Sequence, residues 1–409
     1  MTLTFVPTPD VAAILNLLLD AYERRGGYGR RAVRIRLREV GLPGYYSQTD
    51  PEPRVTANEQ LGQLESRGLI ALDWEPGQKG HLLEAVTLEV VGPLYALLNR
   101  ESMAERRRRL RDLLLADRFR LDGWRLRAVQ HCLAQLKENK SPAPFSLADD
   151  GWNRDLLAAL IALPSRHEDG VQEETPYRVF SVRLFNDSKR FEALKGAVAR
   201  LARRHQPQWR DLSSRETLRE LGLVANPGHL YLYGPWRMID DDGCIISLAE
   251  FHPSVGIPTS LVARLVEVRV DAERVMCVEN LTPFYELVRH ESRGLAALCL
   301  WGNPSPASRH LLRFLPPDIP LSLWADIDYG GFNILAQLRE QVSSRFAPHR
   351  MDIETMEEHI HWTHPLSPAD ERNLARLKQR PSLADMTPLI DHMLRRKIKL
   401  EQEAVTFVG

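Results

Sequence analysis

Three short apolar runs with acids behind two of them constrain this chain more than any other feature. Val275-Met-Cys-Val278 is apolar throughout and is followed by Glu279. Leu295-Ala-Ala-Leu-Cys-Leu-Trp301 leads to Gly302. Ile319–Ala325 leads to Asp326 and Asp328, with Gly330-Gly331 behind them. Short apolar runs without alternation are the pattern of parallel strands buried on both faces. Pro283–Arg289 and Ser305–Phe314, between these runs, carry apolar residues at helical spacing. The order predicts β-α-β-α-β, with the strand ends sharing one rim of an open sheet. Glu279, Asp326 and Asp328 then meet in one crevice. Three carboxylates repel one another there unless a cation sits between them. Oxygen donors with room for water and phosphate oxygens suit Mg²⁺ or Mn²⁺. These three residues are therefore the predicted catalytic and metal-binding set.

At 409 residues the chain has room for two or three domains, and 44% hydrophobic residues supply their cores. Lys+Arg and Asp+Glu each total 54, so any attraction to nucleic acid must come from local patches. Cys132, Cys244, Cys277 and Cys299 have no paired zinc spacing, and thiols in a reducing compartment are expected. Met1–Asp10 lacks the basic start and apolar run of a secretion signal. No stretch reaches the ~18 apolar residues of a membrane span. A soluble, cytoplasmic protein without a membrane segment is expected.

Residues 1–92 read as a winged helix. Val11–Glu23 is a helix stopped by Gly26-Gly27, and Arg30–Val40 alternates Val33, Ile35 and Leu37 with Arg34, Arg36 and Arg38, as in a short strand with a basic face, with a helix as the alternative. Thr56-Ala-Asn-Glu59 has the spacing of a capping box and would start a helix reaching about Ser66, with Leu61 and Leu64 inward. Leu69–Asp73, a turn at Glu75–Gly80 and Leu82–Val90 complete a strand pair. Such a unit would set Thr56–Ser66 near a DNA groove and Lys79 near a backbone. The alternative is a winged helix used for protein contacts.

Residues 93–148 form a basic helical connector. Its consecutive Arg106, Arg107, Arg108 and Arg109 suit phosphate contact or a plain solvated face. Residues 149–270 read as a mixed α/β region packing on the domain that follows. Helices are expected at Trp152–Leu163 and Phe191–His205, and alternating strands at Tyr177–Phe185 and His229–Tyr233. Lys189 and Arg190 stand at a helix start, where the dipole favours anions, so a phosphate would offset their charge. Residues 271–409 carry the three acids and helices at Asn333–Phe346 and Leu383–Glu403. Glu401 and Glu403 lie either near the acidic rim or on a solvated tail. His349, His359, His361 and His364 raise the idea of zinc without its usual ligand spacing.

The strand ending in Glu279, the loop with Gly302 and Pro304 followed by Arg309, and Asp326-x-Asp328-x-x-Gly331 together resemble the Toprim domain of topoisomerase VI A subunits and their relatives. The resemblance implies a Rossmann-like parallel sheet, an overall α/β class with α+β additions, and metal-dependent DNA chemistry with Arg309 beside the DNA. Asn280 stands where that family has Lys, and Ser305 where it has an acid. Its members that cleave by transesterification use a tyrosine in an Arg-Asp-Ile-Tyr-Tyr-like stretch. Val33–Val40 has arginines and no tyrosine, and Tyr45 and Tyr46 fall in a later turn-rich loop. Water is therefore the expected nucleophile.

Phe180–Lys189, Val278-Glu-Asn280, Asp326-Ile-Asp328 and Leu400-Glu-Gln-Glu403 resemble the JetD nuclease family of Wadjet plasmid-defence systems more closely still. That resemblance implies a Mg²⁺- or Mn²⁺-dependent endonuclease that cuts closed circular double-stranded DNA. It also implies a homodimer working with a condensin-like SMC ATPase complex. Two other readings stand beside it: a topoisomerase VI A-like transesterase, and a non-enzymatic winged-helix scaffold that binds DNA.

Overall fold

The computed structural model describes residues 5–24, 33–164, 174–290 and 293–405. The expected stop at Gly26-Gly27 and the start of the basic strand at Arg30 lie outside the described residues. The chain divides into two compact units at residues 161 and 162.

In the first unit, helix α1 (Pro9–Arg24) buries Val11, Ile14, Leu15, Leu18 and Leu19, the three-and-four spacing of one face. Strand β1 (Val33–Arg36) follows. Helix α2 spans Glu52–Ser66 and buries Ala57, Leu61 and Leu64. It starts earlier than the expected box at Thr56, which lies inside the helix. Pro51 and Pro53 set the first turn instead, where a missing N–H costs nothing. Strands β2 (Ile70–Trp74) and β3 (Leu83–Leu88) pair antiparallel, with β3 between β1 and β2. Side chains from α1, α2 and this sheet share one core. Helices α3 (Met103–Ala116), α4 (Gly123–Lys137) and α5 (Asp150–Ala162) complete the unit. Arg125 is buried, pairs with Asp122 and donates to the carbonyl of Leu160, which ties α4 to α5.

The second unit opens with a correction. Tyr177–Phe185, expected as a strand, is helix α6. Its buried residues are Tyr177, Phe180 and Ser181, a helical spacing that the alternation of Tyr177 and Val179 masks. Asn186 closes it in the left-handed region at φ 55°. The Ser181 hydroxyl accepts from the Phe191 N–H at 2.9 Å, which binds α6 to α7 (Arg190–His205). Helix α8 (Ser214–Glu220) follows.

The main elements that follow are, in order, β4 (His229–Tyr233), β5 (Trp236–Asp240), β6 (Ile245–Ser247), β7 (Val255–Pro258), β8 (Leu265–Val270) and β9 (Arg274–Val278). Then come α9 (Leu281–His290), β10 (Leu295–Cys299), α10 (Pro306–Arg313), β11 (Leu321–Trp324), α11 (Tyr329–Gln341), β12 (Ala347–Pro348), α12 (Pro368–Leu377) and α13 (Thr387–Arg396). Six of these strands form one sheet in the order β12-β11-β9-β10-β4-β7. Strands β12, β11, β9 and β10 run parallel; β4 and β7 add antiparallel pairs. The acidic strand β9 is central. Val278 pairs with both Cys299 and Trp324, so three carboxyl ends are level. A small antiparallel sheet, β8-β5-β6, accompanies it.

Helix α11 begins at Tyr329, four residues before the expected Asn333, because Asp328 caps it. The expected long helix Leu383–Glu403 is also corrected. Helix α13 ends at Arg396, Lys397 turns left-handed at φ 59°, and the chain continues as a strap that is extended at Ile398–Lys399 and closes in a 3-10 turn at Gln402–Ala404. Leu400 and Ile327 exchange main-chain hydrogen bonds of 2.9 and 3.2 Å. No described helix is long and apolar enough to cross a membrane.

Candidate active site

Glu279 directly follows the last residue of the central strand, and both neighbouring strand ends hold it. Its N–H donates to the carbonyl of Trp324 at 3.0 Å, and its own carbonyl accepts from Gly302 at 3.2 Å. The Asp326 N–H donates to its Oε2 at 3.1 Å. Asp326 in turn accepts the Gln402 N–H on Oδ1 at 2.7 Å. Asp328 caps α11 through Oδ1, which accepts from the Gly331 N–H at 2.9 Å. Gly331 is required by space: a Cβ there would lie 2.0 Å from the carbonyl oxygen of Asp326. All three acids are half-buried.

Burial, then the charges of Asp326, Asp328 and Glu403, push the Glu279 carboxyl up to about 8 against the Asp326 N–H. Burial also pushes Asp326 up to about 6, with Asp328, Glu403 and Glu401 adding to it and the Gln402 N–H opposing. The strap thus brings Glu401 and Glu403 to the acidic rim rather than leaving them remote. The acids do not form a closed cage. Among the described residues, the one trio with an oxygen each within 4.8 Å of the others is Asp240, Asp241 and Asp242. Arg264 ion-pairs with all three of those, so their turn carries its own counter-charge.

The expected DNA contacts fall in both units. Lys79 is exposed in the turn between β2 and β3. On α3, Arg108 and Arg109 are exposed and Arg106 and Arg107 half-buried; Arg109 pairs with Glu101 and with Asp150. Lys189 is exposed at the start of α7, next to the half-buried Arg190, and its N–H is taken by Asp187 at 2.7 Å. An internal carboxylate therefore already serves that helix end. Arg309 corrects the expectation of a DNA contact. It is 4% exposed, donates to both oxygens of Glu220 at 2.8 Å and to the carbonyl of Pro304 at 2.6 Å. It staples α10 to α8 and has no surface to offer a phosphate.

Tyr45 is fully buried. Its hydroxyl donates to Asn58 Oδ1 at 2.9 Å and accepts the Leu83 N–H at 3.0 Å. Among the described residues the Tyr46 hydroxyl, also buried, has no hydrogen-bond partner. Burial raises both phenols, which opposes a tyrosinate nucleophile at either position. Among the described residues, His349, His359, His361 and His364 form no close ligand group; the His359 ring lies 2.9 Å from the carbonyl of Thr355.

Sequence reading gave no role to Gln402. Its side chain is 1% exposed, donates to the carbonyl of Trp324 at 3.0 Å and accepts the Asn280 N–H at 3.3 Å. The one available signal was an amide set between two acids after an apolar residue, Leu400-Glu-Gln-Glu403.

Residues 246–408, which include Glu279, Asp326, Asp328, Glu401 and Glu403, match the family described as "Wadjet protein JetD, C-terminal". The chain is also 24% identical over 408 residues to Wadjet protein JetD of Bacillus cereus (strain Q1), covering 96% of this chain and 97% of that one. A match of this extent runs through both units and places the level, acid-tipped strand ends inside the matched part. Residues 246–408 thus carry the JetD C-terminal family match, and the chain as a whole is similar to Wadjet protein JetD.

Proposed function

We propose that this protein is a Mg²⁺- or Mn²⁺-dependent DNA endonuclease that cuts closed circular DNA for a Wadjet plasmid-defence system. The observation that carries the reading is the Asp326 N–H holding Glu279 at the level ends of two parallel strands, with Asp328 one turn away. The donor set fits a hard cation. It is all carboxylate oxygen, and it presses like charges together with main-chain N–H groups acting against the strain. Its open spacing also fits, since Mg²⁺ keeps several waters and takes one or two carboxylates directly.

On this reading residues 271–409 act as a Toprim domain and residues 1–92 as a winged helix. Glu279, Asp326 and Asp328 hold the cation. A bound divalent ion polarises the phosphodiester, steadies the leaving oxygen and lowers the pKa of a bound water. Glu279, at the end of a different strand from the two aspartates, would exchange a proton with the attacking water or with the leaving oxygen. The buried hydroxyl of Tyr45 favours water over tyrosine as nucleophile. Lys79, Arg106, Arg107, Arg108, Lys189 and Arg190 are the basic residues we assign to double-stranded DNA. A homodimer would bring two clefts to two strands, and a condensin-like SMC ATPase complex would deliver the circular substrate.

The test is incubation of supercoiled plasmid with Mn²⁺, the protein and the partner ATPase complex, beside Glu279→Gln. Free-ended nicked or linear product that disappears in the variant supports hydrolysis. Unchanged cutting by the variant overturns the site. Protein-linked ends would make the enzyme a transesterase, and no cutting by either protein would favour a scaffold.

A further inference from the structure

We infer that the strap Leu400–Glu403 supports the metal site, with Gln402 as a positioning residue for Asp326. This inference rests on the metal-dependent reading of the three acids and deepens it.

The strap is anchored from inside. Leu400 and Gln402 are each 1% exposed, while Glu401 and Glu403 are exposed, and Gln402–Ala404 closes the strap as one turn of 3-10 helix. A buried amide is costly unless its donors and acceptors are used. Gln402 uses them on two different strand ends. Nε2 donates to Trp324, the last residue of β11, and Oε1 accepts from Asn280, two residues beyond β9. The Trp324 carbonyl that receives the Gln402 amide also receives the N–H of Glu279. The Gln402 main chain donates to Asp326 at 2.7 Å. One buried residue therefore touches the framework of both acids. Such outer partners fix the direction of metal ligands.

The exchange of bonds between Leu400 and Ile327 sets the strap beside the residue that separates Asp326 from Asp328.

The experiment is Mn²⁺ titration by calorimetry on the full chain, with the melting temperature of each variant recorded in EDTA. Gln402→Met keeps the buried volume while removing the side-chain hydrogen bonds. We expect Gln402→Met to weaken Mn²⁺ roughly 10–100-fold, the usual effect of losing an outer partner. If wild type binds Mn²⁺, Glu279→Gln abolishes binding and Gln402→Met binds like wild type, the strap inference alone is overturned. If wild type takes up no Mn²⁺, the metal reading itself fails. A lower melting temperature in Gln402→Met with unchanged affinity would make Gln402 a structural clamp and overturn its positioning role.

Discussion

The main-chain N–H of Asp326 donates to Oε2 of Glu279 at 3.1 Å, across 47 residues of sequence. This bond directs one acid with the backbone of another, so Glu279 is held in place by its neighbouring strand end. It favours the ionised carboxylate, yet burial and the surrounding acids outweigh it and push Glu279 up to about 8. The site keeps its arrangement at a cost in stability that a cation would offset.

That cost has a sign in pH. Glu279 has an ordinary value of 4.5 and a folded value of about 8, so the folded chain binds its proton more tightly across that range. Stability without metal therefore falls as pH rises from about 4.5 through about 8, and Asp326, raised from 3.8 to about 6, acts in the same direction. Glu279→Gln removes the larger contribution while keeping an oxygen for the Asp326 N–H. In EDTA the variant should melt a few degrees higher than wild type at pH 9, at roughly 2–4 °C per kcal/mol, and change little at pH 5. Equal shifts at the two pH values would show that the carboxyl is not strained.

Much of this site was legible in the sequence because its strands are buried on both faces. Val275–Val278 and Leu295–Cys299 are wholly buried, and wholly apolar runs record that fact directly. Tyr177–Phe185 was misread because its residues satisfy an alternating and a helical pattern at once; packing of Phe180 against Phe191 decides for the helix. The strap was hidden for a different reason. Its partner, Ile327, is distant in sequence, and a single pair of main-chain bonds leaves no periodicity to read. Arg309 matched a motif, but nothing local announces Glu220 as its partner.

The Arg309–Glu220 pair should behave as a buried ion pair, since the two side chains are 5% and 7% exposed. Removing one partner leaves an uncompensated charge, so Arg309→Met should lower stability by about 3–5 kcal/mol in urea denaturation. Replacing both partners, as Arg309→Met with Glu220→Leu, should recover most of that loss. Weaker DNA binding at full stability would instead return Arg309 to the phosphate backbone.

Gly331 offers a geometric test of the Asp326–Asp328 turn. A Cβ there meets the Asp326 carbonyl oxygen at 2.0 Å, so the turn or the start of α11 must move. Gly331→Ala should cost about 1–3 kcal/mol as an overpacked site and weaken Mn²⁺ uptake. Gly330→Ala is the comparison: its Cβ would meet Asp328 Oδ1 at 3.1 Å, a milder contact than the one at Gly331. Thermal melts and Mn²⁺ titrations of the two variants should rank Gly331→Ala as the more severe on both measures. The reverse order would mean that the turn differs from the one described.

Metal uptake should itself be linked to protons. Carboxylate ligands must be ionised, and with Glu279 raised to about 8 most of its population is protonated at pH 6.5. Binding at pH 6.5 should then release about one proton per Mn²⁺, and at pH 8.5 much less. Affinity should rise with pH by about tenfold per unit while one proton is displaced, then level off above the Glu279 value. Calorimetry in buffers of different ionisation enthalpy reads the proton count directly. Glu279→Gln should sharply reduce the release along with the affinity. Heats at pH 6.5 that are independent of buffer would mean that Mn²⁺ binds without deprotonating Glu279, and the ligand set would have to be sought elsewhere on the rim.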